Sequence, residues 1–154
     1  MIDATIRTFY RAAHVTRTCL SFVREPSTRS ARAAVWHGDR LLLVYRSYGH
    51  RYTLPGESLR AGESPDRIAS RALERTCGIQ LPPSQFELSM QSPAHLENRI
   101  DTFYVCETNV VEEPRVHINR WRIFGARFYS IEYAQKLDLV PQLHTYLSRR
   151  QVLS

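Results

Sequence analysis

The segment LPGESLRAGESPDRIASRALERTCGI, residues 54–79, is the most informative stretch of the sequence. Pro65 suits the first turn of a helix because its ring fixes φ near the helical value, and Ser64 before it suits the N-cap. Gly78 suits the end of the helix, because glycine readily adopts the left-handed conformation that closes many helices. The segment therefore predicts a turn followed by a helix from Pro65 to about Cys77.

The regions around this segment predict a sheet. The runs ARAAVWH (31–37) and RLLLVYR (40–46) are strand-like, and Gly38 and Asp39 between them are typical of a hairpin turn. Further strands are predicted at 52–54, 85–91, 99–106 and 117–129, and further helices at 133–136 and 138–150. Because strands and helices interleave and several strands follow one another directly, we expect an α+β fold of the α/β/α sandwich type, with a mixed β-sheet flanked by helices.

Residues 57–79 resemble the Nudix box, the signature of the Nudix (MutT-like) hydrolase superfamily. Its pattern is Gly, five residues, Glu, seven residues, then Arg-Glu-U-x-Glu-Glu-x-Gly-U, where U is aliphatic. The sequence keeps five of the defining residues, and Gly56 lies one position before the motif, where the family often has a second glycine. The retained positions are Gly56, Glu63, Arg71, Leu73, Gly78 and Ile79. The resemblance extends over about residues 30–154 and implies the Nudix fold.

Four of the nine defining positions depart from the pattern: Glu57 replaces glycine, and Ala72, Arg75 and Thr76 replace the three helix glutamates. In the family these glutamates share one helix face, because steps of three and four residues return to the same side. Magnesium prefers hard oxygen ligands such as carboxylates. A methyl group, a cation and a hydroxyl therefore stand where three anions should be, and the degenerate box predicts lost or strongly reduced hydrolase activity, as in a pseudoenzyme.

The loop before the helix keeps two acids, Glu57 and Glu63, which are the only metal-ligand candidates left in the box. They do not make an intact metal site. We favour an ion pair between Glu63 and Arg71 or Arg75, because it would fix the loop without a metal. Glu74 cannot replace the missing acids, since at about 100° per residue it should face away from positions 72 and 76.

The family also often carries an acidic residue late in the chain, and the segment 119–131 resembles that region. Arg122 and Gly125 occupy the corresponding positions, so the acid is missing again. Glu97 and Asp101 are the acids left in the central strand region. Either is a candidate general base, although a loop or strand-surface charge is the commoner role.

The net charge of +6 and the excess of arginine bear on the ligand, because 20 of the 21 basic residues are arginine. Arginine binds phosphate through two parallel hydrogen bonds. Arg71, Arg75 and Arg122 could therefore bind a nucleotide or another diphosphate-containing small molecule in place of the metal. Genomic base composition is a simpler explanation of the arginine excess.

Three functions stay open at this point. The first is a Nudix-fold binder of a nucleotide-like ligand or a partner, with little or no hydrolysis and no certain cofactor. The second is an active, divergent hydrolase that cleaves a phosphoanhydride in a nucleoside diphosphate derivative with Mg²⁺ or Mn²⁺, using Glu63 with Glu57, Glu97 or Asp101. The third is a basic RNA-binding module. Nucleic acid is the least favoured partner, because the arginines are spread along the chain and no RNA-binding motif is present.

Residues 1–29 lie outside the resemblance and predict an amphipathic helical extension to the domain at 30–154. Apolar residues recur there at roughly helical spacing: Ile6, Phe9, Tyr10, Ala13, Cys19, Leu20 and Val23. Such a helix could pack on the domain, form a homodimer or lie on an anionic membrane surface, and we favour the first two. No apolar run approaches the roughly 20 residues of a membrane span. Three scattered cysteines favour free thiols in a reducing compartment, so we expect a cytoplasmic protein.

Overall fold

The structure is a computed structural model that describes residues 27–46, 51–96, 99–121 and 123–153. The strands in these ranges are β1 (Ser27–His37), β2 (Arg40–Arg46), β3 (Tyr52–Thr53), β4 (Gly56–Ser58), β5 (Glu87–Leu96), β6 (Arg99–Asn109) and β7 (Ile123–Ser130). The helices are α1 (Pro65–Cys77), α2 (Ile131–Ala134) and α3 (Pro141–Leu153), together with a short 3-10 helix at Pro83–Gln85.

All the described strands join one mixed sheet. Its main order is β3-β2-β1-β6-β5, with β4 paired to β1 and β7 paired to β2. β1 and β6 run parallel from the pair Ser27↔Ile100 to the pair Trp36↔Asn109, and the other pairings are antiparallel. β1 therefore lies at the centre, with β6 along one side and β4 and β2 along the other.

Helix α1 has the bounds that its sequence predicts. Gly78 is left-handed, with φ of 67°, and its N–H donates to the carbonyl oxygen of Glu74 at 2.9 Å. Ser64 occupies the N-cap position in an extended conformation and Pro65 opens the helix, but the Ser64 side chain makes no capping hydrogen bond. The predicted position of the N-cap is thus confirmed.

Apolar side chains cover both faces of the sheet, because strand residues alternate between its two sides. On one face the strand residues pack with Ala69, Leu73 and Cys77 of α1. On the other, Trp36, Leu41 and Leu43 pack with α3. The cluster at α1 contains Ala33, Val35, Leu42, Val44, Ala69, Leu73, Cys77, Ile79, Phe86, Cys106, Ile123 and Phe128. The α+β fold and the sandwich of helices around a mixed sheet are therefore confirmed.

A partly buried polar network joins α3 to the sheet. Trp36 Nε1 donates to the Tyr146 hydroxyl at 3.0 Å, and that hydroxyl donates to Glu107. Arg150 Nη1 donates to Glu107 Oε1 at 2.8 Å, and the Arg150 guanidinium carbon lies 4.2 Å from the centre of the Trp36 ring. Burial, and then the carboxylate of Glu107, raise the pKa of Tyr146. We call these four residues the α3 network.

The segment before β7 differs from its prediction. The sequence favours a strand from about residue 117, but β7 starts at Ile123. The N–H of His117 donates to the carbonyl oxygen of Cys77 at 2.8 Å, and that of Asn119 to the carbonyl oxygen of Thr76 at 3.2 Å. The backbone of this segment thus satisfies carbonyl groups at the end of α1, which have no partner within the helix.

The N-terminal helix and the absence of a membrane span can be compared with the structure only within the described residues. β1 begins at Ser27, so residues 27–29 belong to the sheet and not to an N-terminal helix. The rest of the predicted helical extension, residues 1–26, lies outside the described residues. Among the helices that are described, none has the length and apolar character needed to cross a membrane.

Candidate functional site

The three positions that should carry helix glutamates have different environments. Ala72 is fully buried and Thr76 is 8% exposed, whereas Arg75 is exposed. The sequence places all three on one helix face. In the structure Ala72 and Thr76 pack inside the domain, and Arg75 alone of the three reaches solvent.

Arg75 and Arg71 bind the two acids of the preceding loop. Arg71 Nε lies 3.1 Å from Glu57 Oε2, and Arg71 Nη1 lies 2.9 Å from Glu63 Oε2. Arg75 Nη1 lies 3.4 Å from Glu57 Oε2. We call these four residues the charge cluster. The predicted ion pair of Glu63 is confirmed, with Arg71 as its partner. The formal charges of the four side chains in the cluster sum to zero.

Strand pairing explains why Glu57 reaches α1. Glu57 pairs with Ala31 of β1, and Ala33 and Val35, which follow Ala31 at intervals of two, lie in the apolar cluster beneath α1. Because paired residues share a face, the Glu57 side chain points toward the helix. Arg71 and Arg75 are four residues apart and so are neighbours on that helix.

The loop between β4 and α1 holds Glu63 in place. The N–H of Arg60 donates to Glu63 Oε1 at 2.9 Å, and the N–H of Glu63 donates back to the carbonyl oxygen of Arg60 at 3.2 Å. The hydrogen bond from Arg60, and then that from Arg71, lower the pKa of Glu63. Hydrogen bonds to Glu57 and then Glu63 raise the pKa of Arg71. The charged forms of Glu63 and Arg71 are thus favoured by each other, and that of Glu63 also by the loop backbone.

These residues do not fit a divalent metal ion. Glu57 and Glu63 already accept hydrogen bonds from guanidinium groups, and a cation would have to approach two arginines. Within the described ranges no three His, Cys, Asp or Glu side chains come together as a metal-binding group. The chemistry available to the cluster itself is therefore ion pairing and hydrogen bonding.

An open hollow of about 690 Å³ lies beside the charge cluster, on the outer side of α1. It is lined by Gly62, Glu63, Ser64, Arg67, Ser70, Arg71, Glu74 and Pro83. Glu74 is exposed there and accepts a hydrogen bond from Gln80 Nε2 at 3.1 Å. It does not join the charge cluster, as the helical geometry predicts.

Two arginines that the sequence reasoning missed lie in the neighbouring strands, Arg32 in the middle of β1 and Arg46 at the end of β2. Arg32 Nη1 donates to the carbonyl oxygen of Leu54 at 3.4 Å, and Arg46 Nη2 donates to that of Gly56 at 3.3 Å. Burial, and then repulsion from Arg46, lower the pKa of Arg32 to about 10. The available signal was a charged residue inside each of the strand-like runs that form the first hairpin.

The retained Gly56 has a packing reason. A Cβ at this position would lie 2.1 Å from Cδ of Arg32 and 2.6 Å from the carbonyl oxygen of Ala31. Those contacts are far closer than real carbon atoms allow, so a side chain here would displace Arg32 or separate β4 from β1. In this chain Gly56 is thus required by the close approach of the Ala31 carbonyl oxygen, with the Arg32 side chain adding to the crowding.

The other predicted site residues do not join the cluster. Asp101 in β6 shares its sheet face with Phe103, which packs in the cluster beneath α3, so it lies on the opposite face from Glu57. Its Oδ1 is buried without a hydrogen-bond partner among the described residues. Glu97 and Arg122 lie outside the described residues.

Comparison of the sequence with family models and with curated proteins gives no match. Comparison of the fold gives many matches. The MutT Nudix hydrolase of Burkholderia pseudomallei superposes with a TM-score of 0.66 at 21% identity, over 80% of this chain and 98% of that one. The E. coli ORF135 protein gives 0.69 at 16% identity, over 84% of this chain and 91% of that one.

A third similar structure is the Nudix domain of NrtR from Shewanella oneidensis, in complex with ADP ribose. It gives a TM-score of 0.67 at 15% identity, over 85% of this chain and 90% of that one. At these identities the comparisons establish the architecture. The chain has the Nudix fold, as the box at residues 57–79 implies.

Proposed function

We propose that this protein binds a nucleoside diphosphate derivative, or another diphosphate-containing small molecule, without a metal ion. We further propose that its metal-dependent pyrophosphohydrolase activity is lost or strongly reduced. The observation that carries both parts is the charge cluster, in which Arg71 and Arg75 hold the two carboxylates that a metal would need.

The loss of hydrolysis follows from what phosphoanhydride cleavage requires. A divalent metal neutralises the phosphate charge and activates the attacking water. Here a cation occupies one of the three helix acid positions, and the other two, Ala72 and Thr76, are buried. A metal that displaced Arg75 from Glu57 would gain one carboxylate and still lack the rest of its ligands.

Binding of the diphosphate group is supported by the exposure of the two arginines. The Arg75 side chain is 54% exposed, and its polar contacts among the described residues are those from Nη1 to the Glu57 carboxylate at 3.4 Å. The Arg71 side chain is 37% exposed. Guanidinium groups bind phosphate oxygens in pairs, and the basic chain would attract an anion. The ADP ribose complex of the NrtR domain supports a ligand of this class. Arg122 is retained as a third predicted contact.

The binding test is calorimetric titration with ADP ribose, ADP and inorganic pyrophosphate in the presence of EDTA. We expect binding that survives EDTA and weakens as salt is added, because the main attraction is between charges. Arg75→Gln should weaken it, and Arg115→Gln, at an exposed position outside the cluster, is the matched control. Binding that requires Mg²⁺, or no binding of any of the three, would reject this part of the proposal.

The activity test is a hydrolysis screen of nucleoside triphosphates, dinucleotides and nucleotide sugars with Mg²⁺ or Mn²⁺. We expect little or no metal-dependent release of nucleoside monophosphate or phosphate. Rapid release would instead establish the divergent hydrolase, with Glu57 and Glu63 as the first residues to substitute. A cytoplasmic location and a homodimer stay predictions beside this proposal.

A further inference from the structure

The open hollow of about 690 Å³ beside α1 contains charged groups that do not belong to the charge cluster. Its volume lies within the range of about 300–1,000 Å³ that is typical of small-molecule sites. Six of its eight lining residues have polar side chains, and the other two are Gly62 and Pro83. A lining of this kind suits phosphate and sugar groups better than it suits a flat apolar base. We call this place the α1 hollow.

One face of α1 forms a wall of the α1 hollow. Four lining residues are spaced by three and four positions and so lie on one side of the helix: Arg67, Ser70, Arg71 and Glu74. At about 1.5 Å per residue, Arg71 lies about 6 Å from Arg67 along the helix axis, and Glu74 lies about 10 Å from Arg67. The wall is therefore polarised, with two guanidinium groups toward its amino end and a carboxylate toward its carboxyl end.

The two arginines of this wall are held differently. Arg71 Nε and Nη1 bind the two acids of the charge cluster, so the Arg71 guanidinium is fixed at the edge of the hollow. Arg67 is exposed and makes no ion pair within the described ranges of the chain. Asp66 beside it accepts instead from the Arg67 backbone N–H at 2.9 Å and from the Ser64 hydroxyl. The Arg67 guanidinium is thus available to an anion that also approaches Arg71.

The carboxylate at the other end of the wall can accept further hydrogen bonds. Glu74 is exposed, and its Oε1 accepts from Gln80 Nε2 at 3.1 Å, whereas its Oε2 has no hydrogen-bond donor among the residues that the structure describes. An ionised carboxylate only accepts hydrogen bonds and would repel a phosphate, so the group beside it must be a donor without negative charge. In dinucleotide-binding folds a carboxylate takes this role toward a ribose hydroxyl group.

We propose that the α1 hollow binds the sugar diphosphate part of a nucleotide ligand, with the diphosphate on Arg67 and Arg71 and the sugar hydroxyl groups donating to Glu74. That the ligand carries a diphosphate rests on the proposed function. The hollow adds to that function a second phosphate-binding arginine and a residue that recognises the sugar. One cavity joins these contacts, because Arg67, Arg71 and Glu74 all line it.

The test is calorimetric titration in EDTA with ADP, with dideoxy-ADP, whose ribose lacks both hydroxyl groups, and with inorganic pyrophosphate. A hydrogen bond to a charged group is worth about tenfold or more in affinity. We therefore expect the wild type to bind ADP about tenfold more tightly than dideoxy-ADP. Glu74→Ala should bind ADP about tenfold more weakly than the wild type does, and the other two probes no more weakly. Alanine favours helices, so this variant should unfold at about the wild-type temperature.

Arg67→Gln should instead weaken the binding of all the probes by about tenfold, because each of them carries a diphosphate. Glu112→Ala and Arg115→Gln are the matched controls, since they make the same changes at exposed loop positions that do not line the hollow. Neither control should change any of the affinities.

The placement in the α1 hollow is rejected if the wild type binds ADP and dideoxy-ADP equally, if Glu74→Ala weakens all the probes alike, or if Arg67→Gln binds them as the wild type does. In each of these cases the proposed diphosphate site still stands where Arg75→Gln weakens the binding of pyrophosphate. A wild type that binds none of the probes rejects both proposals.

Discussion

The charge cluster and the α3 network each contain a partly exposed Arg–Glu ion pair, but only the α3 network joins that pair to buried aromatic side chains. In the α3 network the ion pair of Glu107 and Arg150 adjoins Trp36 and Tyr146, which are almost fully buried. In the charge cluster Arg75 is more than half exposed. Exposed ion pairs contribute little to stability, whereas unsatisfied buried polar groups are costly. The α3 network therefore holds the fold together, and the charge cluster is better explained by the site that it occupies.

The largest effect is expected when an acid is introduced into the buried part of the site. Ala72→Glu would place a carboxylate at a fully buried position of α1. We expect a loss of about 3–5 kcal/mol in the free energy of unfolding, because the charge has no partner there. Urea denaturation measures it, and Ala61→Glu, at an exposed loop position, is the matched control. Equal stability of the two variants would mean that position 72 is open to solvent and to metal.

The next effect lies in the α3 network. Tyr146→Phe removes the hydroxyl that accepts from Trp36 and donates to Glu107, and leaves the indole N–H buried without a partner. The free energy of unfolding should fall by about 1–3 kcal/mol. Tyr133→Phe, at an exposed ring, should have almost no effect in the same urea titration. A similar loss in both variants would show that the network is not what stabilises α3.

Substitution in the charge cluster should change the free energy of unfolding less than Tyr146→Phe does, but should weaken ligand binding. Arg75→Gln removes one exposed ion pair with Glu57, which is worth less than about 1 kcal/mol. The affinity for ADP ribose in EDTA should nevertheless fall clearly. If the variant instead lost as much stability as Tyr146→Phe while binding was unchanged, the charge cluster would be a structural device like the α3 network.

The smallest effect concerns pH. The pKa of Glu63 is lowered in the folded chain by Arg60 and then Arg71, so its contribution to stability is present above the unfolded pKa of about 4 and is lost as pH falls through the folded value. Because the Glu63 side chain is partly exposed and screened by solvent, the effect is small. Acid unfolding curves of wild type and Glu63→Gln should differ at neutral pH and converge at low pH. Curves that stay parallel across this range would contradict the shift.

The sequence predicts the parts of this molecule that depend on local signals. Proline at the start and left-handed glycine at the end define α1, and the Gly38–Asp39 turn defines the first hairpin. The start of β7 could not be predicted, because residues 117–119 pair with the end of α1 and not with a strand. Whether these residues join the sheet depends on the carbonyl groups at the end of α1, which lie far away in sequence and need hydrogen-bond donors.

The site shows the same division. The pairing of Glu63 with Arg71 follows from their spacing around the helix start. The reach of Glu57 to both arginines depends on the pairing of β4 with β1, which the sequence does not reveal. The crowding of Gly56 by Ala31 and Arg32 also depends on this pairing.

The parallel pairing of β1 with β6 has a consequence for how the chain folds. It joins residues far apart in sequence, from Ser27 and Ile100 at one end to Trp36 and Asn109 at the other, a separation of 73 residues at each pair (100 − 27 and 109 − 36). Contacts of such long range form slowly, because a large loop must close before they give any return. The hairpin of β1 and β2 closes across two residues and can form early. The loop that must close contains both β4 and α1. We therefore expect the ion pairs of the charge cluster to form before β6 pairs with β1 and completes the sheet.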